Sequence, residues 1–547
     1  MTTRTLVSGM MFAAIVFGQE GIPVTDPLVI AKCGTCHARD EHGNMQRISW
    51  ERTTPEGWQD ALKRMILVNG VSLTPSEARS IVKYLSTSHG LAPEEAKPVM
   101  YDVERRIHEE TNLPSENVRN ACTKCHSFAR ALSWRRSLED WKQFADLHAM
   151  RFHLPPNGEA VAFLAKAAAL HTPEWDAWSA HTRAPNLTGR WLLTASIPGR
   201  GKYYGEMRVQ PVDSTQGDDE FNTSVLMTPV NDGSGILRAG RSVVYGTNAW
   251  RGRSKGGEPA GSAPDDVNSE AREVLWIAPD QSTAEGRWFW GQYQEFGFDV
   301  KMRRASSDPT LLLVDRSSLK TGSEANRVRL IGDRIPARVT PADFDFGPGV
   351  TVRRIVSSTS REVIAEVDVA SDARLGKRDI ALLGSVAPGA IAIYDRVDYI
   401  KVVPDSALAA FGDQTHVRGY QQFEAIGYQR GADGKPHTAD DVELGPLDPL
   451  GAISAVSWSM EVFYATPGSS SDFVGKVSPT GFFTPAVDSP KNNFDVWVIA
   501  TAKTAKGANS KPLVGKSYLV VTVPSYTFNG HRYVRDLDRW VDDGPAQ

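Results

Sequence analysis

"CGTCHARD", residues 33–40, opens with Cys33-Gly-Thr-Cys36-His37, and a second Cys-x-x-Cys-His stands at Cys122-Thr-Lys-Cys125-His126. These are the only 4 cysteines among 547 residues. Two thiols so spaced on a turn of helix can each add to a vinyl group on one edge of a haem, and the adjacent imidazole then meets the iron. Other uses of a cysteine pair fit less well. A shared structural zinc wants its two pairs roughly 15–20 residues apart, whereas Cys36 and Cys122 are 86 positions apart. A thioredoxin-type pair ends a strand in a βαβ unit, and the flanking sequence here has helical periodicity. Ordinary disulfides need no histidine after each pair. The expectation is two haem c groups held through Cys33, Cys36, Cys122 and Cys125, with His37 and His126 as iron ligands.

Downstream of each motif the chain repeats itself. "GWQDALKRMILVNGVSLTPSEARSIVKYLSTSHG" (57–90) and "SLEDWKQFADLHAMRFHLPPNGEAVAFLAKAAALH" (137–171) both read as a Trp-led amphipathic helix, a turn and a second apolar helix. Trp58 precedes Met65 by 7 positions and Trp141 precedes His148 by 7, so each pair shares a helical face. Thioether and imidazole are both sixth ligands of low-spin haem, which assigns His37/Met65 to the first iron and His126/His148 to the second. Met45, Met150 and His153 compete for these roles, and a methionine on an apolar helical face is commonly a core residue. His42, His89, His108 and His171 read as solvated or hydrogen-bonded bystanders. A thioether favours ferrous iron more than a second imidazole does, so electrons should run from the second centre to the first, with neither iron keeping an open position.

The net charge of −4 gives no footprint for nucleic acid. Residues 1–18, with Arg4, an apolar run from Leu6 to Phe17 and small residues before Gly18, have the layout of a secretory signal peptide. That implies an exported, periplasmic protein. The run is shorter than the roughly 20 residues a membrane helix needs.

From about residue 182 the periodicity shortens to alternating runs punctuated by Gly, Pro, Asp and Ser. The expected fold is therefore multidomain: an N-terminal all-α dihaem cytochrome c domain (19–181, two tandem modules split near residue 100), followed by three all-β domains. These are an antiparallel β-barrel (182–314) with a packed interior, an immunoglobulin-like sandwich (315–404) and a second one (405–547). The loop 432–445 carries Asp433, Asp440, Asp441 and Glu443 without EF-hand spacing and reads as a solvated acidic turn, calcium being the alternative. No nucleophile elbow, phosphate-cradling loop or zinc-protease helix is found, and no catalytic residue is assigned.

Two Cys-x-x-Cys-His modules ahead of three β domains, with segments such as "VVYGTNAWRGRS", "RWFWGQYQEFGFDV" and "RLIGDRIPARVTPADFDFGPGV", resemble the large alpha subunit of quinohaemoprotein amine dehydrogenases over essentially the whole chain. The resemblance implies a periplasmic heterotrimer oxidising primary amines to aldehydes and ammonia. Its cysteine tryptophylquinone would lie in a quinone-bearing small subunit beside a β-propeller subunit, and this chain would pass electrons to an external cytochrome c or blue-copper acceptor. With all 4 cysteines in haem motifs, no cysteine remains here to build that quinone. A dihaem electron-transfer or redox-sensing protein serving a different dehydrogenase is the alternative.

Overall fold

The computed structural model describes residues 21–105, 113–123, 126–155, 157–181, 184–212, 219–413, 416–447, 455–464, 470–487, 492–506 and 511–523. The expected signal peptide, Cys125 and His108 lie outside them.

In the N-terminal unit the helices are α1 (Pro27–Cys33), α2 (Pro55–Asn69), α3 (Pro75–Ser88), α4 (Pro93–Ala96), α5 (Glu116–Cys122), α6 (Ala129–Leu132), α7 (Leu138–Phe152), α8 (Gly158–Ala167) and α9 (Pro173–Ser179). Caps explain where they start. Asp26, Thr54, Thr74, Ser115, Ser137, Asn157 and Thr172 each accept a backbone N–H from the first turn of the helix that follows. The repeat is carried into the backbone with a constant shift of 83 residues: α2 runs Pro55–Asn69 and α7 runs Leu138–Phe152, and the caps Thr54/Ser137 and Thr74/Asn157 keep the same shift. Both helices hang from an indole hydrogen bond, Trp58 Nε1 to the His89 carbonyl and Trp141 Nε1 to the Ala168 carbonyl, each 2.9 Å.

The expectation of an all-α N-terminal haem domain is overturned. The extended lead-ins to α2 and α7, β1 (Glu51–Thr53) and β2 (Trp134–Arg136), pair antiparallel as Glu51↔Arg136, Arg52↔Arg135 and Thr53↔Trp134. The cause lies in capping geometry: residues before an N-cap are extended, and here two extended segments meet and satisfy each other's backbone groups. The chain as a whole is mostly β, with 28 strands against 9 α-helices among the described residues.

In the C-terminal unit, β3 (Gly189–Ile197), β4 (Gly201–Pro211), β5 (Glu220–Pro229), β6 (Ile236–Tyr245), β7 (Ala249–Gly256), β8 (Ala271–Ile277), β9 (Thr283–Trp290) and β10 (Phe296–Arg304) form a closed antiparallel barrel, β10 pairing back onto β3. Its interior is filled by side chains including Trp191, Phe221, Trp250, Trp288, Trp290 and Phe298. Tight coiling relies on glycine: a Cβ at Gly205 would stand 2.0 Å from the Leu226 carbonyl oxygen, and one at Gly286 2.1 Å from that of Val274. Segment 97–105 belongs to this unit, with Glu104 accepting from Arg272 Nε at 2.7 Å.

Beyond the barrel, strands Thr310–Val314, Asn326–Asp333, Glu362–Val369 and Val350–Ser358 form one sheet, and Ser318–Lys320, Ser385–Tyr394, Gly376–Leu382 and Phe344–Asp345 the facing one. The last region has a four-stranded sheet, Ser406–Ala410, Pro512–Thr522, Phe494–Lys506 and Val456–Val462, and two three-stranded ones. In both regions a short early strand pairs parallel with the final strand of its sheet partner, Ser318–Lys320 with Ser385–Tyr394 and Ser406–Ala410 with Pro512–Thr522.

Candidate haem sites

α1 ends on Cys33 and α5 ends on Cys122, so each motif begins where a seven-residue helix gives out. Cys33, Cys36 and Cys122 form no disulfide among the described residues. Burial, and for Cys33 also the neighbouring Cys36, pushes the Cys33 and Cys122 thiols up. That is the opposite of the depressed thiol a redox nucleophile requires. The backbone N–H groups of Cys36 and His37 both donate to the Cys33 carbonyl, at 3.2 and 2.9 Å, folding the first motif into one tight turn.

Each motif histidine sets its Nδ1 against a backbone carbonyl. His37 Nδ1 donates to the Gln46 carbonyl at 2.9 Å, and His126 Nδ1 to the Ser127 carbonyl at 2.8 Å. A ring whose Nδ1 carries the proton presents Nε2 as a lone-pair donor, the arrangement that fixes tautomer and raises basicity in metal-ligating histidines. Gln46 reaches His37 because the chain doubles back through the Arg39–Met45 bridge.

Met65 and His148 occupy the eleventh position of equivalent fifteen-residue helices. Met65 is half-buried, and its sulfur accepts from Asn69 Nδ2 at 3.5 Å. His148 is half-buried between Phe144, stacked at 5.6 Å, and Phe152 at 4.8 Å. Around them, at the C-terminal ends of α2 and α7, stand Leu67, Val68, Leu147, Met150 and Phe152, all exposed large apolar residues. A soft or imidazole donor among exposed apolar residues at a helix end, and a His-bearing thiol turn in the same repeat, is a donor set that fits an iron porphyrin.

The competing ligands are placed differently. Met45 is fully buried, with its terminal methyl 4.0 Å from where a Gly34 Cβ would lie, so it packs beneath the first motif. Met150 is exposed, and His153 caps α7 in the left-handed region at φ 53°. His89 is a buried hydrogen-bonded residue, Nε2 donating to the Ile22 carbonyl at 3.1 Å. In the 432–445 loop the carboxylates serve the loop itself. Asp433 accepts from Lys435 N, Asp440 from Thr438 Oγ1, and Asp441 from Gly431 N and Tyr399 Oη.

Sequence reading missed the ionic framework beside the ladder. Arg52, wholly buried, donates to the Leu170 and Gly90 carbonyls and in bidentate fashion to Glu95, at 2.7 and 2.9 Å, while Arg135 Nε donates to the same carboxylate at 3.2 Å. One carboxylate held by two guanidiniums stays below the usual range despite burial. Arg136 donates to both Glu51 and Asp140. Burial pushes Glu51 up against the pull of Arg136, whose own charge is held by its two acidic partners.

Four domain families match consecutive parts of the chain. Residues 24–163 match "Quinohemoprotein amine dehydrogenase A, alpha subunit, haem binding"; residues 184–305, 308–395 and 400–531 match domains II, III and IV of the quinohemoprotein amine dehydrogenase alpha subunit. No curated protein sequence matches. Similar solved structures include a redesigned β-barrel, b11L5F_LGL (15% identity, 22% of this chain, 92% of that one, TM-score 0.17), and the redesigned barrel mFAP1 bound to DFHBI (16%, 22%, 100%, 0.18). Among the described residues no helix is long and apolar enough to cross a membrane.

Proposed function

The chain belongs to the quinohemoprotein amine dehydrogenase alpha subunits, and from that premise we propose that it is the dihaem electron-transfer subunit of such an enzyme. It is a haem-binding subunit of a multi-subunit oxidoreductase. In our reading Cys33, Cys36, Cys122 and Cys125 carry two haem c groups, His37 and His126 supply the fifth ligands, and Met65 and His148 the sixth. When bound, the haems supply two one-electron centres in series.

This chain's own residues decide the order. The thioether of Met65 favours the ferrous state more than the imidazole of His148, so the His126/His148 site faces the electron source and the His37/Met65 site faces the acceptor. The Gln46 and Ser127 carbonyls hold the proximal rings in the ligating tautomer. The source is a cysteine tryptophylquinone in a small subunit, beside a β-propeller subunit, reduced as primary amines become aldehydes and ammonia. The acceptor is an external cytochrome c or blue-copper protein, met in the periplasm after export through residues 1–18.

The observation that carries this reading is the placement of Met65 and His148 at one position of two helices of equal length with matching caps, each following a Cys-x-x-Cys-His turn. The test is purification of the mature chain from periplasm. Two haem equivalents by pyridine haemochrome are expected, with a near-infrared sulfur-to-iron band that disappears in Met65→Leu and a co-purifying small polypeptide that stains for quinone. Unmodified cysteines by mass spectrometry, or a band that survives Met65→Leu, would overturn it.

A further inference from the structure

The two motif histidines lean on carbonyls that are held in different ways. Gln46, the acceptor for His37, sits in a loop of the same module, closed by the Arg39–Met45 bridge and by its own N–H, which donates to the Ala38 carbonyl at 2.9 Å. Ser127, the acceptor for His126, is the next residue in the chain and lies outside any helix or strand. A bond from an imidazole to the carbonyl one residue on needs that carbonyl turned back toward the ring. The Ser127 side chain supplies the hold, its hydroxyl donating to Asp102 Oδ1 at 2.5 Å.

Asp102 is itself buried, in a segment that the barrel fixes. Asp102 N donates to the Val99 carbonyl at 3.1 Å and Arg105 N to the Tyr101 carbonyl at 3.0 Å, folding 97–105 into successive turns. Its side chains meet two cross-strand pairs of β8 and β9, Arg272↔Phe289 and Trp276↔Glu285. Glu104 accepts from Arg272 with side-chain exposures of 1% and 4%, and the Tyr101 ring stands edge-on to Phe289 at 5.4 Å. Lys97 pairs with Glu285 and lies 5.5 Å from the Trp276 ring. His126, Ser127 and this segment belong to the same unit as the barrel. Contacts therefore run without a break from two barrel strands through 97–105 to Asp102, the Ser127 hydroxyl, the Ser127 carbonyl and the His126 ring.

We propose that the β-barrel is the support of the second haem's proximal ligand, and that Asp102 is the positioning residue that aims the His126 ring through Ser127. The inference rests on the dihaem reading above and deepens it. With its carbonyl acceptor held, the imidazole keeps its proton on Nδ1 and presents Nε2 at a fixed ring angle. A hydrogen-bonded Nδ1–H makes the ring a more basic ligand, and a more basic ligand favours ferric iron. The first module closes its own loop around His37, so only the second centre answers to changes at Asp102 and Ser127.

The test is spectroelectrochemical titration and electron paramagnetic resonance of the full haem-loaded chain in wild type, Ser127→Ala, Asp102→Ala and Asp102→Asn. Ser127→Ala keeps the carbonyl and removes its hold, while Asp102→Asn keeps an oxygen to which the hydroxyl can donate. Both alanine variants should raise the second centre's midpoint and move its lowest-field g value, with two haems retained and the first centre unmoved. Asp102→Asn should lie closer to wild type than Asp102→Ala does. Should the variants of one position fail to fold, the other position carries the test. A second centre that stays in place in either alanine variant with both haems bound would overturn the inference and leave the dihaem reading standing. Equal shifts of both centres, or an Asp102→Asn displaced as far as Asp102→Ala, would do the same. Fewer than two haems in wild type would overturn both.

Discussion

The two repeated halves of the haem-binding unit are a controlled comparison within one chain. They agree wherever the backbone is decided: capping hydroxyls at Thr54 and Ser137, a buried indole at Trp58 and Trp141 reaching a carbonyl, fifteen-residue helices of equal extent, and a left-handed residue just past each helix. They differ where chemistry is decided, with Met65 opposite His148, Thr53 and Gly57 opposite Arg136 and Asp140, and Gly70 opposite His153. Duplication has kept the residues that specify a helix's ends and hanging point while leaving those near its apolar face free to diverge. Helix geometry and the proposed ligand positions are therefore carried by separate sets of side chains.

The comparison is broken most directly at the tryptophans. Trp58→Ala and Trp141→Ala should each cost about 3–5 kcal/mol, the range for emptying a buried aromatic site, and urea unfolding of the two variants should give similar losses. A loss in one confined to a few tenths would mean the helices are not hung in the same way.

Acid sharpens it next. The Trp58 acceptor belongs to His89, whose imidazole is pushed down to about 4, by burial first and by the Arg52 charge as well, against the hydrogen bond to Ile22. The corresponding acceptor in the second module belongs to Ala168, which does not titrate. A histidine with a depressed folded-state pKa leaves stability whole above about 6.5 and drains it as pH falls toward its folded value, here by about 3 kcal/mol. Hydrogen exchange should therefore speed up around α2 between pH 6.5 and 4, more than around α7. His89→Gln, which keeps a donor for Ile22, should remove the difference.

The smallest effect expected is at the caps. Thr54→Ala and Ser137→Ala remove matching bonds to Gly57 N and Asp140 N, at 3.2 and 3.1 Å, and each should cost about 1 kcal/mol in thermal unfolding.

Much of this was legible before any coordinates. The period of Trp58, Leu62, Met65 and its echo from Trp141 marked the paired helices, because amphipathic spacing over fifteen residues is a strong local signal. The aromatic-rich alternation from Trp191 to Phe298 marked the barrel for the same reason. The ladder was not legible. Glu51-Arg-Thr and Trp134-Arg-Arg are three-residue strands, mostly polar, with no apolar alternation to mark them. Their burial follows from partners far along the chain, Glu95 for Arg52 and Arg135, and Glu51 for Arg136. Long-range ion pairs leave no periodic trace in a sequence. The Thr53/Gly57 and Arg136/Asp140 exchange was visible as letters, but only the contact at Gly57, where a Cβ would fall 2.2 Å from Thr53 Oγ1, gives it meaning.

The short ladder between β1 and β2 bears on the symmetry of the N-terminal unit. Under the 83-residue shift Arg52 faces its own counterpart Arg135, and Glu51 and Thr53 face the counterparts of Thr53 and Glu51. A pairing in which each patch meets itself is that of an isologous dimer around a two-fold axis. The unit thus has, within a single polypeptide, the internal two-fold symmetry of one module paired with a second copy of itself.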